Sequence, residues 1–316
     1  MEEFEQYYPP KPTLIRRERK GHISITFLSM VIFALTFSLI IDDYQFILFL
    51  LGVLLIHELG HFLTMKYFGY SDLKMLFIPF MGAMVKGEKK HYSQKESALM
   101  LMAGPLPGII FGYFILNYGV DNSMLWAIQI GVLFMLLNVM NLVPIDPLDG
   151  GQLMRVLFFG NQEFFQFIFA FISSLGMIIL GLWFNSWLII AFGFILGFRV
   201  KSMHKLLQIR KDMKSEDIDY ESTYEKLTDR TFAKIKAIVI DYTPILRKIE
   251  EESDSDKFDQ IVANQVEGVL IRPTKRDASL NFKVLMLLVW LGAIFLSVYT
   301  FLSLDFNSIV HAFQNR

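Results

Sequence analysis

Long apolar runs separated by short polar connections organise this chain. They occupy residues 23–41, 46–65, 98–118, 124–145, 164–184, 187–198 and 284–303. A helix needs about 20 mostly apolar residues to cross a bilayer. The pattern therefore predicts an all-α polytopic membrane protein with six to seven transmembrane helices, the run at 187–198 being short. Trp183 and Trp187 read as interfacial anchors. Pro105 and Pro107 interrupt the third run. The fourth runs into Pro144 and Pro147 and then Gly150 and Gly151. Two missing amide donors and two flexible residues predict a broken helix there. Within 66–97, "MLFIPFMGAMVKG" is apolar and partly β-branched, and Pro79, Gly82 and Gly87 punctuate it. It is too short for a span and predicts a membrane-associated β segment near 75–87, its backbone covered by protein.

The rest of the chain is polar. Residues 1–21 contain Pro9, Pro10 and Pro12 and end in the cluster Arg16, Arg17, Arg19 and Lys20. Residues 201–280 hold 15 Lys and Arg against 16 Asp and Glu. That balance fits a solvated region, with helical spacing across 222–252 and a short strand in "GVLIRP". Basic connections face the cytoplasm in polytopic proteins. The N-terminal cluster, the lysines of 66–97 and Arg199, Lys201 and Lys205 fall on one side by alternation, and the Asp-only connections at 42–45 and 119–123 on the other. The first run is a full span with no small-residue cleavage site after it, so it reads as retained.

Composition narrows the chemistry. The chain is 53% hydrophobic and 15% aromatic, with a net charge of -1. No basic field points to nucleic acid. There is no cysteine, which excludes disulfides, thiol catalysis and cysteine-ligated zinc. Any metal must be held by His, Asp or Glu.

Three ionisable groups lie inside the second run, in "LLIHELGHFLTMK". His57 and His61 are four residues apart and share a helix face, so both imidazoles can reach one ion. Glu58 is offset by about 100°, beside the ion without ligating it, where it can take a proton from water. This is the helical zinc-hydrolase spacing. Gly60 lets a neighbouring helix approach. A catalytic zinc has three protein ligands plus water. His22, His91, His204 and His311 stand at a membrane edge, in the basic loop, in the polar stretch and on the opposite side. Two carboxylates qualify by depth, Asp146 and Asp149, in "NVMNLVPIDPLDGGQLMR". A broken helix at membrane depth lines a cavity, which suits water and substrate entry.

These motifs resemble the site-2 protease family of intramembrane zinc metalloproteases. The resemblance rests on "HELGH" and on "NLVPIDPLDG", which holds Asn141, Pro144, Asp149 and Gly150 in the family's order. "FIPFMGAMVKG" is similar to the family's membrane-associated β segment, and "MAGPLPG" to its Gly-Pro turn. The match covers about residues 46–155. It implies one Zn2+ per chain on His57, His61 and Asp149, and it selects Asp149 over Asp146. It further implies Glu58 as general base toward zinc-activated water, and Asn141 as a contact to substrate or transition state. The implied activity is cleavage of peptide bonds in membrane-spanning protein substrates, that is, regulated intramembrane proteolysis. The implied setting is a multi-pass protein of the cell membrane, with N-terminus and active-site side cytoplasmic. The domains follow: 1–21 a tail, 22–200 the transmembrane catalytic domain, 201–280 a cytoplasmic region, and 281–316 a last span with its tail. Asn138, on the same helix as Asn141, reads as packing, and Lys86 to Lys90 as a headgroup or orientation cluster. A transporter or ion channel using His57, Glu58 and Asp149 as an ion pathway is the competing reading. It leaves the i, i+4 histidine spacing without a reason.

Overall fold

The computed structural model describes residues 8–15, 23–79, 82–89, 92–159, 162–252, 255–271 and 273–304. Arg16, Arg17, Arg19, Lys20, His22, Lys90, His91 and His311 lie outside the described residues. In chain order the elements are α1 (Ile23–Ser38), α2 (Tyr44–Tyr67), β1 (Ser71–Ile78), β2 (Gly82–Glu88), α3 (Gln94–Ala103), α4 (Pro105–Asp121), α5 (Leu125–Leu142) and α6 (Asp149–Met154). A π turn at Arg155–Phe159 follows α6. Then come α7 (Glu163–Trp183), α8 (Trp187–Ser215), α9 (Asp229–Tyr242), α10 (Ile245–Glu252), α11 (Ser255–Val269) and α12 (Leu280–Ser303). The chain divides into two compact units, Arg19–Gly160 with Lys275–Arg316, and Met1–Glu18 with Asn161–Thr274.

Among the described residues, five helical segments are long and apolar enough to cross a membrane: α2, Gln94–Asp121, α5, α7 and α12. The apolar runs predict more. At 16 residues, α1 is about 24 Å long, short of a bilayer core of about 30 Å. The run at 187–198 is only the first part of α8, a 29-residue helix that carries on through Arg199, Lys201 and Lys205.

In the first unit, α2 starts where the Asp43 side chain accepts the Phe46 N–H and so satisfies an orphan donor. The third apolar run is jointed. α3 ends at Ala103 and α4 begins at Pro105, a residue suited to the first helical position. The break in the fourth run also appears: α5 stops at Leu142, 143–148 is non-helical, and α6 begins at Asp149. α12 packs along this bundle. Trp290 is buried and donates its indole N–H to the Leu142 carbonyl at 2.9 Å, one of the carbonyls orphaned at the end of α5.

The β segment is an antiparallel hairpin in which Lys74 faces Lys86, Met75 faces Val85 and Phe77 faces Ala83. Met75 and Phe77 point into a cluster with Phe33 and Leu54. The outer edge of β1 is covered by α1: Thr26 Oγ1 donates to the Met75 carbonyl at 2.8 Å, and Ser29 Oγ accepts from the Phe77 N–H at 3.1 Å. No strand pairs with the outer edge of β2 among the described residues.

In the second unit, the end of α8 with α9, α10 and α11 encloses a core that includes Ile209, Met213, Ile235, Val262 and Val266. Among the described residues of "GVLIRP" there is no strand. Gly268 and Val269 close α11, and Val269 and Leu270 are buried in that core. Burial against the helices outweighs local β propensity.

Candidate metal centre

His57 and His61 lie one turn apart on α2, and the start of α6 brings Asp149 to them. The His57 and His61 Nε2 atoms are 3.1 Å apart, and each is 3.2 Å from Asp149 Oδ2. These three groups can hold a metal ion. Ligands about 2.0–2.1 Å from a tetrahedral zinc are separated by roughly 3.3 Å, so the observed triangle has the size of one tetrahedral face.

Protonation argues the same way. His57 Nδ1 is 2.8 Å from Asn138 Oδ1, and His61 Nδ1 is 2.8 Å from the Met100 carbonyl. An oxygen of either kind only accepts, so each Nδ1 carries the proton and each Nε2 presents a lone pair. The Asn138 amide is fixed in that sense because its Nδ2 donates to the Phe134 carbonyl at 2.7 Å. Asp149 Oδ2 is buried and receives no hydrogen bond. Three lone pairs within 3.2 Å in a buried site repel one another unless a cation lies among them. The donor set therefore fits a divalent metal.

Glycines make the approach possible. A Cβ on Gly60 would stand 1.9 Å from the Ala103 carbonyl oxygen, and one on Gly104 would stand 2.3 Å from His61 Nε2. A Cβ on Gly108 would stand 2.1 Å from Asn138 Nδ2. "MAGPLPG" thus leaves room for the His61 ring with its first glycine and for the Asn138 amide with its second. Gly150 is likewise pressed on the end of α5, its Cβ position 2.0 Å from the Leu142 carbonyl oxygen.

Glu58 is buried at 5% exposure and lies outside the three-residue group. Val85 of β2 lies near its carboxylate, so β2 runs beside the candidate base. A cavity of about 500 Å³ opens along the hairpin between Met65, Tyr70, Lys74, Val85 and Lys86.

Asp146 does not join the group. It is buried, with Oδ1 3.6 Å from Arg155 Nη1 on the π turn. Asn141 donates back to the Leu137 carbonyl of its own helix at 3.1 Å, one turn beyond Asn138. Asn138, expected to be packing, instead orients His57. Its spacing of three from Asn141 is the one sequence feature that sets it on that face. Trp290 carries no such signal in the sequence. His204 lies in α8 against Phe167 and Gln208.

Residues 45–121 match the model of peptidase family M50. The matched segment holds α2, the hairpin, α3 and α4, whereas Asn138 and Asp149 lie beyond it. Stage IV sporulation protein FB of Bacillus subtilis is 31% identical over 119 residues, 35% of this chain and 40% of that protein. A zinc metalloprotease of Methanocaldococcus jannaschii is 31% identical over 121 residues, 35% of this chain and 33% of that protein. The matches thus span less than half the length of either relative. The solved site-2 protease from Methanocaldococcus jannaschii overlaps 62% of this chain and 95% of its own, at 19% identity and a TM-score of 0.42.

Proposed function

We propose that the chain is an intramembrane zinc metalloendopeptidase that hydrolyses peptide bonds of membrane-spanning protein substrates. The observation that carries this reading is the triangle of His57 Nε2, His61 Nε2 and Asp149 Oδ2, with sides of 3.1 to 3.2 Å, its two histidines on α2, a helix long and apolar enough to cross a membrane. The family match over residues 45–121 supports peptidase chemistry for the same helix.

His57, His61 and Asp149 would hold the ion, Asn138 and the Met100 carbonyl keeping both imidazoles in the ligating tautomer. The bound metal supplies Lewis acidity toward a substrate carbonyl and makes water a better nucleophile at neutral pH. Glu58 takes the proton from the attacking water. It delivers that proton to the departing amine nitrogen as the C–N bond breaks. Glu58 is buried, next in sequence to His57, which sets it beside the water that the ion would hold. A substrate helix must unwind before its peptide bond is accessible. The edge of β2 that no described strand pairs, beside Glu58, suits addition of the unwound segment as a strand. Asn141, one turn from Asn138, is the α5 side chain proposed to contact that segment. The basic connections support a site on the cytoplasmic side of the cell membrane.

The test is Glu58→Gln in the full chain. Zinc measured by mass spectrometry stays near one per chain while cleavage of a membrane-spanning substrate stops. Cleavage that persists sinks the mechanism, and ion flux lost with Glu58 favours a transporter. Asp149→Ala loses zinc and Asp146→Ala keeps it. Equal retention in both rules out Asp149 as third ligand.

A further inference from the structure

Residues 8–15, "YPPKPTLI", cross the helical core of the second unit without helix or strand of their own. The Lys11 ammonium donates to three backbone carbonyls, those of Tyr224 at 2.9 Å, Glu225 at 3.0 Å and Leu227 at 2.6 Å. It also lies 5.3 Å from the Tyr224 ring centroid. The Lys11 N–H donates to Asp229 Oδ1 at 2.8 Å, and the Tyr224 hydroxyl donates to the Pro12 carbonyl at 2.7 Å. Gln260 on α11 engages the backbone twice: its Nε2 donates to the Thr13 carbonyl at 2.8 Å and its Oε1 accepts from the Ile15 N–H at 3.0 Å. Leu14 packs on the helical core.

These are the contacts of peptide recognition, with backbone bonds for affinity and separate side-chain contacts, at Lys11 and Leu14, for selectivity. Three converging carbonyls match the three donors of an ammonium and not the planar fork of a guanidinium. The apolar contact, Leu14 on the helical core, comes three residues later. The host does not need the segment for its core. Every buried member of that cluster lies between Ile209 and Leu270, and Leu14 is only partly buried. The core that presents these contacts therefore does not depend on the segment.

We infer that this helical unit is a recognition site for a peptide with a lysine followed three residues later by leucine, closed in cis by the chain's own residues 8–15. Its partner class is a protein tail carrying that Lys-Pro-x-Leu pattern. Lys11 and Leu14 are the anchors, and Gln260 is the backbone clamp. A tethered ligand acts at a millimolar effective concentration, so an outside peptide must compete with it.

The experiment uses the full chain in detergent and a fluorescent peptide of sequence YPPKPTLI, read by anisotropy. In Lys11→Ala with Leu14→Asp the cis segment is weakened, and the peptide binds saturably and at least tenfold more tightly than to the unsubstituted chain. Adding Gln260→Ala to that variant weakens binding at least tenfold, and a peptide with alanine at the lysine position does not bind. Circular dichroism checks that helix content is unchanged. If the double variant loses helix, Lys11→Ala alone carries the same comparison. Absence of saturable binding to a folded opened variant overturns the inference. So does equal binding to opened and unsubstituted chains, or binding indifferent to Gln260.

Discussion

Replacing Asn138 by alanine removes the acceptor of the His57 Nδ1–H in a residue with 0% exposure. An unsatisfied buried donor costs about 1–3 kcal/mol. The freed ring also regains its second tautomer, in which Nε2 is protonated and cannot ligate. Partners of this kind change metal affinity by about 10- to 100-fold, which is about 1.4 to 2.7 kcal/mol and agrees with the desolvation figure. Gly108→Ala tests the same bond from the opposite helix. Its Cβ would lie 2.1 to 2.6 Å from the three terminal atoms of Asn138, so the amide must leave His57. If that amide is the route, Gly108→Ala weakens zinc by a similar factor alone and by little in the Asn138→Ala background. The coupling should be about 1–2 kcal/mol. Zinc affinity is read by competition with a chromophoric chelator on the solubilised chain, independently of cleavage. Affinity within twofold of the unsubstituted chain for Asn138→Ala, or strictly additive losses in the double variant, refutes the reasoning.

Three further outcomes follow from contacts around the centre. Gly104→Ala puts a methyl 2.3 Å from His61 Nε2, and metal analysis should find a chain without stoichiometric zinc, whereas Gly52→Ala, with nothing within 4 Å of its Cβ position, keeps it. Trp290→Phe keeps an aromatic side chain but loses the pyrrole half of the indole and with it the bond to the Leu142 carbonyl, which should lower unfolding stability by at least about 1 kcal/mol, measured by denaturation in mild detergent; an unchanged midpoint counts against that bond. Burial raises the Asp277 carboxyl, but hydrogen bonds from the Lys95 N–H and the Ser93 hydroxyl outweigh it and hold the group below its ordinary value. The anion caps the first turn of α3, the helix that offers the Met100 carbonyl to His61. Its stabilisation is present above the unfolded carboxyl pKa of about 3.9 and fades as pH falls from there through the lower folded value. Melting curves across that window should show the fade in the unsubstituted chain and not in Asp277→Asn.

Much of the centre is visible in the sequence because it is local. A spacing of four sets His57 and His61 on one helix face whatever surrounds the helix. Two prolines followed by two glycines end α5 whatever follows it. The choice of Asp149 over Asp146 comes from pattern likeness, and only its approach to both imidazoles gives it a physical reason. Asn138 escaped because polarity in a helix says nothing about what it faces. Its partner is 81 positions away in the chain, and only the packing of α2 on α5 joins them. The same holds for Trp290, whose partner is 148 positions away. The strand expected at "GVLIRP" failed for the converse reason, since local β propensity lost to burial in a helical core.

By itself the sequence determined which residues are available for chemistry, which runs favour lipid and where the backbone breaks, because helix periodicity, hydrophobic length and proline sterics act over a few residues. The tertiary structure decided which groups meet. It set three lone pairs about 3 Å apart, chose their tautomers through Asn138 and Met100, and laid residues 8–15 across the helical unit. Such contacts depend on close approach between distant segments, and that approach is specified by glycine gaps and side-chain shape rather than by any repeating pattern along the chain.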